Sequence, residues 1–154
     1  MKYPAGLAIW KTSLVREGRL SIGPADGSAV DTPDKAARLF RAFIGAGADK
    51  EHFVALALDA RGYALGVYVV TIGTVATSLV HPREVFKPAI LASAASVIVC
   101  HNHPSGDPSP SAEDREATRR LKSAGDVLGI QLADHIIIGD AERFYSFRDS
   151  SGVF

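Results

Sequence analysis

The chain has 154 residues, with 17 basic side chains against 17 acidic ones, 47% hydrophobic residues and a single cysteine. That length carries one domain with a real core, and the hydrophobic share is ordinary for a globular protein. The balanced charge excludes the basic footprint of a strong nucleic-acid binder, Cys100 alone excludes an internal disulfide framework, and neither a membrane span nor a signal-peptide pattern is found, so a soluble cytoplasmic protein is expected.

Met1 to Ile22 holds two short apolar runs, Leu7-Ala8-Ile9-Trp10 and Leu14-Val15, separated by Lys11-Thr12-Ser13. A turn near Glu17-Gly18 and a strand around Leu20-Ser21-Ile22 are expected, with Trp10 as a core or edge aromatic. Gly23 to Val30 is a loop of small residues and turn formers. Thr32-Pro33 opens a helix, with Thr32 at the N-cap and Pro33 at the first helical position. Ala36, Leu39, Phe40, Phe43 and Ile44 follow at helical spacing and give it one buried face, and Gly45-Ala46-Gly47 ends it.

Glu51 to Leu58 reads as a strand, Asp59-Ala60-Arg61-Gly62 as a turn, and Tyr63 to Thr71 as a returning strand. Gly73-Thr74-Val75 to Val80 looks like a third strand of an antiparallel meander. Pro82-Arg83-Glu84 leads into a helix with Val85, Ile90, Leu91 and Ala94 inward. Pro88 is tolerated only near a first turn, so the regular part is expected to start after Phe86.

Ser96-Val97-Ile98-Val99-Cys100 is a short apolar run rich in β-branched residues, the pattern of a buried strand, and Cys100 within it is expected to be inert. Directly after it come His101-Asn102-His103, a loop with Pro104, Pro108 and Pro110, and then Ser111-Ala112-Glu113-Asp114. Residues i and i+2 of a strand face one side, so extended geometry through His103 points both imidazoles at one place. A carboxylate enters on the first turn of the helix that follows. Zinc takes neutral imidazole nitrogens and carboxylate oxygens, and a catalytic zinc keeps one position open for water. Two histidines and one aspartate leave that position open. Asp107, in the loop, is an alternative to Asp114 on these grounds. Ser111 and Asp114 also fit a plain helix start, as N-cap and third helical residue.

That helix is read to about Leu128, with Ala117, Leu121, Ala124 and Leu128 on one face and Gly129 as its stop. Arg115, Arg119 and Arg120 form a solvated face. Gln131 to Ile138 is the next strand and Arg143 to Phe147 the last. Asp134 and His135 are neighbours in a strand and so point to opposite faces, one of them toward the core or the site. A carboxylate there would fix the tautomer of a metal-bound imidazole. His52 and His81 belong to no motif. With no internal repeat and no linker, the reading is one domain over residues 1–154, an α/β fold with a mixed β-sheet flanked by helices.

His101, His103, Ser111 and Asp114 match the JAMM (MPN+) metalloprotease pattern of His-x-His, seven residues, Ser, two residues, Asp. The words His101-Asn102-His103-Pro104-Ser105-Gly106-Asp107-Pro108, Asp134-His135-Ile136-Ile137-Ile138-Gly139 and Leu79-Val80-His81-Pro82-Arg83-Glu84-Val85-Phe86 resemble its bacterial RadC-like branch, from about Val15 to Phe147. The resemblance implies the JAMM/MPN layout, akin to that of cytidine deaminases. It selects Asp114 over Asp107 as ligand beside His101 and His103, with zinc as the cofactor. It also implies a catalytic glutamate from an early strand after the first helix, a place that Glu51 matches. Glu84, at the start of the helix before the site, is its rival; Glu113 and Glu116 point elsewhere on their helix. Ser111 would stabilise an oxyanion. The implied activity is zinc-dependent hydrolysis of a peptide or isopeptide bond in a peptide or protein substrate. Alternatives are a DNA-repair-associated accessory role, to which the RadC name is tied, and a metal-binding interaction module without turnover. No strong DNA binding is expected of this domain alone. Two departures stand out. Asn102 occupies the place where eukaryotic deubiquitinases usually carry Ser or Thr. The helix-hairpin-helix module of full-length RadC-like proteins is not seen.

Overall fold

The computed structural model describes residues 8, 10–21, 27–73, 80–150 and 152–154. The first helix, α1 (Pro33–Ile44), begins where Thr32 Oγ1 accepts from Lys35 N and Pro33 fills the first helical position. It ends at Gly45, whose φ of 87° only glycine adopts freely. Strand β1 (Glu51–Leu58) turns through Asp59, whose Oδ1 accepts from the backbone N–H groups of Arg61 and Tyr63, into the antiparallel strand β2 (Ala64–Gly73). Helix α2 (Pro82–Leu91), strand β3 (Ser96–Asn102), helix α3 (Ala112–Leu128), strands β4 (Gln131–Ile138) and β5 (Phe144–Ser146) and the short helix α4 (Phe147–Ser150) complete the order.

Among the described residues five strands form one mixed sheet in the order β2-β1-β3-β4-β5, with β3 and β4 parallel and every other pair antiparallel. Strand alternation divides the core into two clusters. Val54, Leu56, Ile98, Cys100, Ile136 and Ile138 pack with Ala36, Leu39 and Phe40 of α1. Phe53, Ala55, Ala57, Val97, Val99 and Leu132 pack with Val85, Phe86 and Ala89 of α2 and Leu121 of α3. The result is the expected α/β layout, a mixed sheet with helices on both faces. Cys100 is fully buried, and burial pushes its thiol well above the ordinary value, as fits an inert core residue.

Several local expectations change. α2 starts at Pro82, not after Phe86, and keeps Pro88 inside it. Pro88 has no N–H to offer the Glu84 carbonyl one turn earlier, and one residue on Tyr68 Oη donates to the Val85 carbonyl at 2.6 Å. The buried face of α2 is Val85, Phe86 and Ala89, while Ile90 is 52% exposed and Leu91 is exposed too. On α3, Leu128 is exposed, and Thr118 and Gly125 share the buried face with Ala117 and Leu121. A Cβ on Gly125 would stand 2.4 Å from the Ile130 carbonyl oxygen, so α3 meets the chain leading into β4 at this glycine and its last turn faces outward. The last strand is shorter than expected. Ser146 Oγ accepts from Asp149 N, which winds Phe147 into α4. Residues 10–21 form neither helix nor strand, and Trp10 is 86% exposed. Its neighbours Lys11, Thr12 and Ser13 are polar and exposed, so no apolar stripe forms to anchor it. Ile22 and most of the strand expected from Gly73 to Val80 lie outside the described residues.

Candidate metal centre

The alternation that sends Val97 and Val99 toward α2 and α3 sends His101 the same way, and His103 continues that parity. His103 N donates to the Ile138 carbonyl at 2.9 Å, so the chain stays extended beside β4 one residue past β3. At the opposite wall α3 begins. Ser111 Oγ accepts from Asp114 N at 3.1 Å, and Asp114 Oδ2 accepts from Ser111 N at 2.8 Å, a reciprocal capping box. This capping locks the Asp114 carboxylate toward the sheet.

The three side chains meet. His101 Nε2 lies 3.0 Å from His103 Nε2 and 3.2 Å from Asp114 Oδ1, and His103 Nε2 lies 3.5 Å from Asp114 Oδ2. Donors about 2.0–2.1 Å from a tetrahedral ion stand about 3.3 Å apart, so these spacings suit a small cation. The hydrogen-bond partners of the rings give the same answer. His103 Nδ1 lies 2.7 Å from the Asp107 carbonyl, which can only accept, so Nδ1 carries a proton and the neutral ring presents its lone pair at Nε2. His101 Nδ1 is engaged by His135 Nε2 at 2.9 Å. Two imidazoles and a carboxylate, with His101 and Asp114 buried and His103 half-buried, converge in a group able to hold a metal ion.

The electrostatics follow. Burial alone raises the Asp114 carboxyl, but the His101 and His103 imidazoles beside it outweigh that and hold the group well below the usual carboxylate range. His103 is raised, first by its hydrogen bond to Asp114. His135, with no exposed surface, is pushed well below the ordinary histidine value by burial. Glu51 is raised by burial, with His101 and His103 opposing and Asp114 adding to the shift. Its carboxyl therefore lies within electrostatic reach of all three members of the group. It also shares with Phe53 the sheet face that His101 occupies.

Most of the other residues singled out in the sequence turn their side chains elsewhere. The Glu84 carboxylate pairs with Lys87 and Arg83 on α2. The Asp107 carboxylate turns back to the N–H and hydroxyl of Ser109, 3.0 and 2.7 Å away, and only its carbonyl serves the site. His52 Nδ1 meets the Lys50 carbonyl. Of the Asp134–His135 pair, it is the imidazole that faces the site. Asp134 points the other way and accepts from Ser146 Oγ, Arg148 N and His135 N.

Two roles escape a reading of the sequence. Thr118, one helical turn after Asp114, donates to the Asp114 carbonyl at 2.6 Å and meets His135 Nδ1 at 2.7 Å. The i+4 spacing from Asp114 is its only sequence signal. Asn102 is the other. Its Oδ1 accepts from His52 N at 2.7 Å, and its Nδ2 donates to the Lys50 carbonyl at 3.0 Å. The paired residues of β1 and β3 run out at Phe53 and His101, and the Asn102 amide stands in for a further peptide unit, bracketing Glu51 on both sides.

A mixed sheet flanked by helices, with a His-His-Asp group at the end of its central strand, defines a JAB/MPN-type α/β fold with a candidate metal centre. More particularly, the chain belongs to the RadC-like JAB domain family, whose model matches residues 30–153. It is 46% identical over 132 residues to a UPF0758 protein of Rubrobacter xylanophilus, covering 85% of this chain and 57% of that one. It is 57% identical over 98 residues to a UPF0758 protein of Geobacter sulfurreducens, covering 64% of this chain and 42% of that one. A UPF0758 protein of Methanosarcina acetivorans is 55% identical over 104 residues, 68% of this chain and 45% of that one. The chain thus spans about half the length of these relatives. Among the described residues no helix is long and apolar enough to cross a membrane.

Proposed function

We propose that this chain is a zinc-dependent hydrolase that cleaves a peptide or isopeptide bond in a peptide or protein substrate. The observation that carries the reading is the convergence of His101 Nε2, His103 Nε2 and the Asp114 carboxylate within 3.0–3.5 Å, with the other nitrogen of each ring engaged elsewhere. His101, His103 and Asp114 would hold the ion. When bound, zinc supplies a Lewis acid and lowers the pKa of water toward neutrality. Glu51 takes the proton of the attacking water and passes it to the leaving amine. A carboxyl raised by burial, yet beside two imidazoles, suits that exchange. Ser111 Oγ accepts from Asp114 N, which leaves its hydroxyl proton to donate to the developing oxyanion.

The test joins metal analysis of the purified protein to a screen of peptide and isopeptide substrates. About one zinc per chain is expected. Glu51→Gln should keep that zinc while hydrolysis falls by about a hundredfold or more. Glu84→Gln should leave most activity, and Asp114→Asn should lose both metal and turnover. Full zinc in a His101→Ala/His103→Ala double variant would overturn the site. Zinc bound with no turnover on any substrate would favour an interaction module.

A further inference from the structure

Behind the candidate metal centre runs a chain of buried polar groups that an apolar core could have done without. Thr118 Oγ1 donates its one proton to the Asp114 carbonyl at 2.6 Å. At the 2.7 Å contact with His135 Nδ1 the threonine oxygen must therefore accept, and His135 Nδ1 must carry a proton. A neutral His135 then offers a lone pair at Nε2. His101 Nδ1 approaches it at 2.9 Å and must be the donor. A neutral His101 then has its lone pair on Nε2, the atom that faces His103 and Asp114. Each proton position follows from the one before it, starting at a carbonyl that can only accept.

The surroundings hold the chain in this state. Phe53 stacks on His101 with ring centroids 5.8 Å apart, and Phe147 stacks on His135 at 4.9 Å. Neither imidazole has exposed surface, so water cannot replace one of these bonds or let a ring turn over cheaply.

We propose that His135 is a positioning residue that locks His101 in the tautomer presenting Nε2 to a cation, and that Thr118 locks His135 in turn. The proposal rests on the reading of His101, His103 and Asp114 as a metal centre, but its first consequence, the proton on His101 Nδ1, does not need a metal. His135 acts through His101 and is not a ligand. A carboxylate in its place would add a charge to a site that already holds Asp114 and Glu51 nearby. A neutral imidazole orients His101 without one.

The test compares two amide variants. Glutamine carries its terminal amide near the place of His135 Nε2, so His135→Gln can accept from His101 Nδ1. Asparagine ends near Nδ1, so His135→Asn reaches Thr118 only. Side-chain ¹⁵N spectra of the metal-free wild type should show His101 protonated at Nδ1. His135→Gln should keep that signature, and His135→Asn should show mixed tautomers. Zinc affinity, measured by competition with a chromophoric chelator, should drop about 10- to 100-fold in His135→Asn and stay within severalfold of wild type in His135→Gln. Thr118→Val should shift the His135 tautomer, and Thr118→Ser should restore it. If His101 carries its proton on Nε2 in the wild type, or if the two His135 variants behave alike in both readouts, the positioning role is wrong. If the tautomer is as stated but wild-type protein takes up no zinc, the metal reading fails while the relay stands.

Discussion

The loop between β3 and α3 is held against the β4–β5 turn at a point where two backbones nearly touch, and that contact gives a sharp test of how the site is braced. A Cβ built on Gly139 would lie 2.4 Å from the Gly106 carbonyl oxygen and 2.7 Å from Pro108 Cδ. The neighbour cannot swing aside, because the Gly106 carbonyl is held by Asp140 N at 2.9 Å and Arg143 Nη2 at 3.0 Å. In Gly139→Ala the loop must retreat by about 1 Å to regain ordinary contact. The same loop carries the Asp107 carbonyl that fixes His103 at 2.7 Å. Displaced with the loop, that bond lengthens to about 3.7 Å, beyond hydrogen-bonding distance. The variant should lose about 1–3 kcal/mol of stability, the scale of an overpacked contact. Its zinc affinity should fall about 10- to 100-fold as His103 loses its partner. Thermal melts in chelator and competition titrations read the two effects separately. Gly129→Ala is the control. Its φ of 69° makes the substitution strained, but nothing lies within 4 Å of the added carbon. It should cost stability and leave zinc affinity unchanged. A Gly139→Ala protein that binds zinc like wild type would refute the bracing of His103 through this loop.

Asn102→Asp keeps the acceptor for His52 N but loses the donor to the Lys50 carbonyl, so it should retain about one zinc per chain while turnover falls about tenfold or more as Glu51 loosens; unchanged turnover would separate Asn102 from Glu51. In metal-free protein, His135 stays neutral in the fold below its unfolded pKa of about 6.5, where the unfolded chain takes up a proton, so stability should fall with acid by up to about 1.4 kcal/mol per pH unit. His103 is shifted the other way: its stabilisation is full below about pH 6.5 and is lost as pH rises through its raised folded value. Urea unfolding in chelator should therefore show a maximum near about pH 6.5 whose acid limb flattens in His135→Gln; a limb that persists unchanged would remove His135 as its cause. With 17 basic and 17 acidic side chains, binding to duplex DNA should be weak and non-specific at physiological salt, and a nanomolar, salt-resistant affinity in fluorescence anisotropy would overturn that and favour a DNA-associated role.

The heart of the site was legible because it depends on short-range rules. Strand parity placed His101 and His103 together, and the Ser111 to Asp114 spacing marked a helix start. Extended geometry needed to last only one residue past β3, and it does. What stayed hidden depends on register between strands. Leu132 packs with the α2 and α3 cluster, so plain alternation along β4 would carry Asp134 to that face. The irregularity where Val97 pairs with Leu132 but Ile98 pairs with Asp134 shifts the parity by one residue, and His135 arrives instead. No local pattern announces such a bulge. Glu51 was placed only by its order in the chain, and the Asn102 clamp beside it needs two strands known to be neighbours. Trp10 misled for a simpler reason: an apolar residue is informative only when others share its face. Leu128 keeps the helical spacing of Ala117, Leu121 and Ala124 but lies past Gly125, where the last turn of α3 faces outward.

Asp114 ties the site to the fold more closely than a ligand on a loop would. Its Oδ2 accepts from Ser111 N, its backbone N–H donates to Ser111 Oγ, and its carbonyl accepts from Thr118 Oγ1. Capping α3 therefore fixes the same rotamer that aims the carboxylate at His101 and His103, so the entropy of ordering this candidate ligand is lost when the helix forms and would not be lost again on binding a cation. Through Thr118 the first turn of α3 also sets His135, and through His135 the ring of His101. The two imidazoles and the carboxylate come from separate elements, yet their orientations share a common origin at one helix N-terminus. Loosening that terminus would disturb two of the three groups together, a coupling that the capping box and the threonine one turn later impose on the geometry.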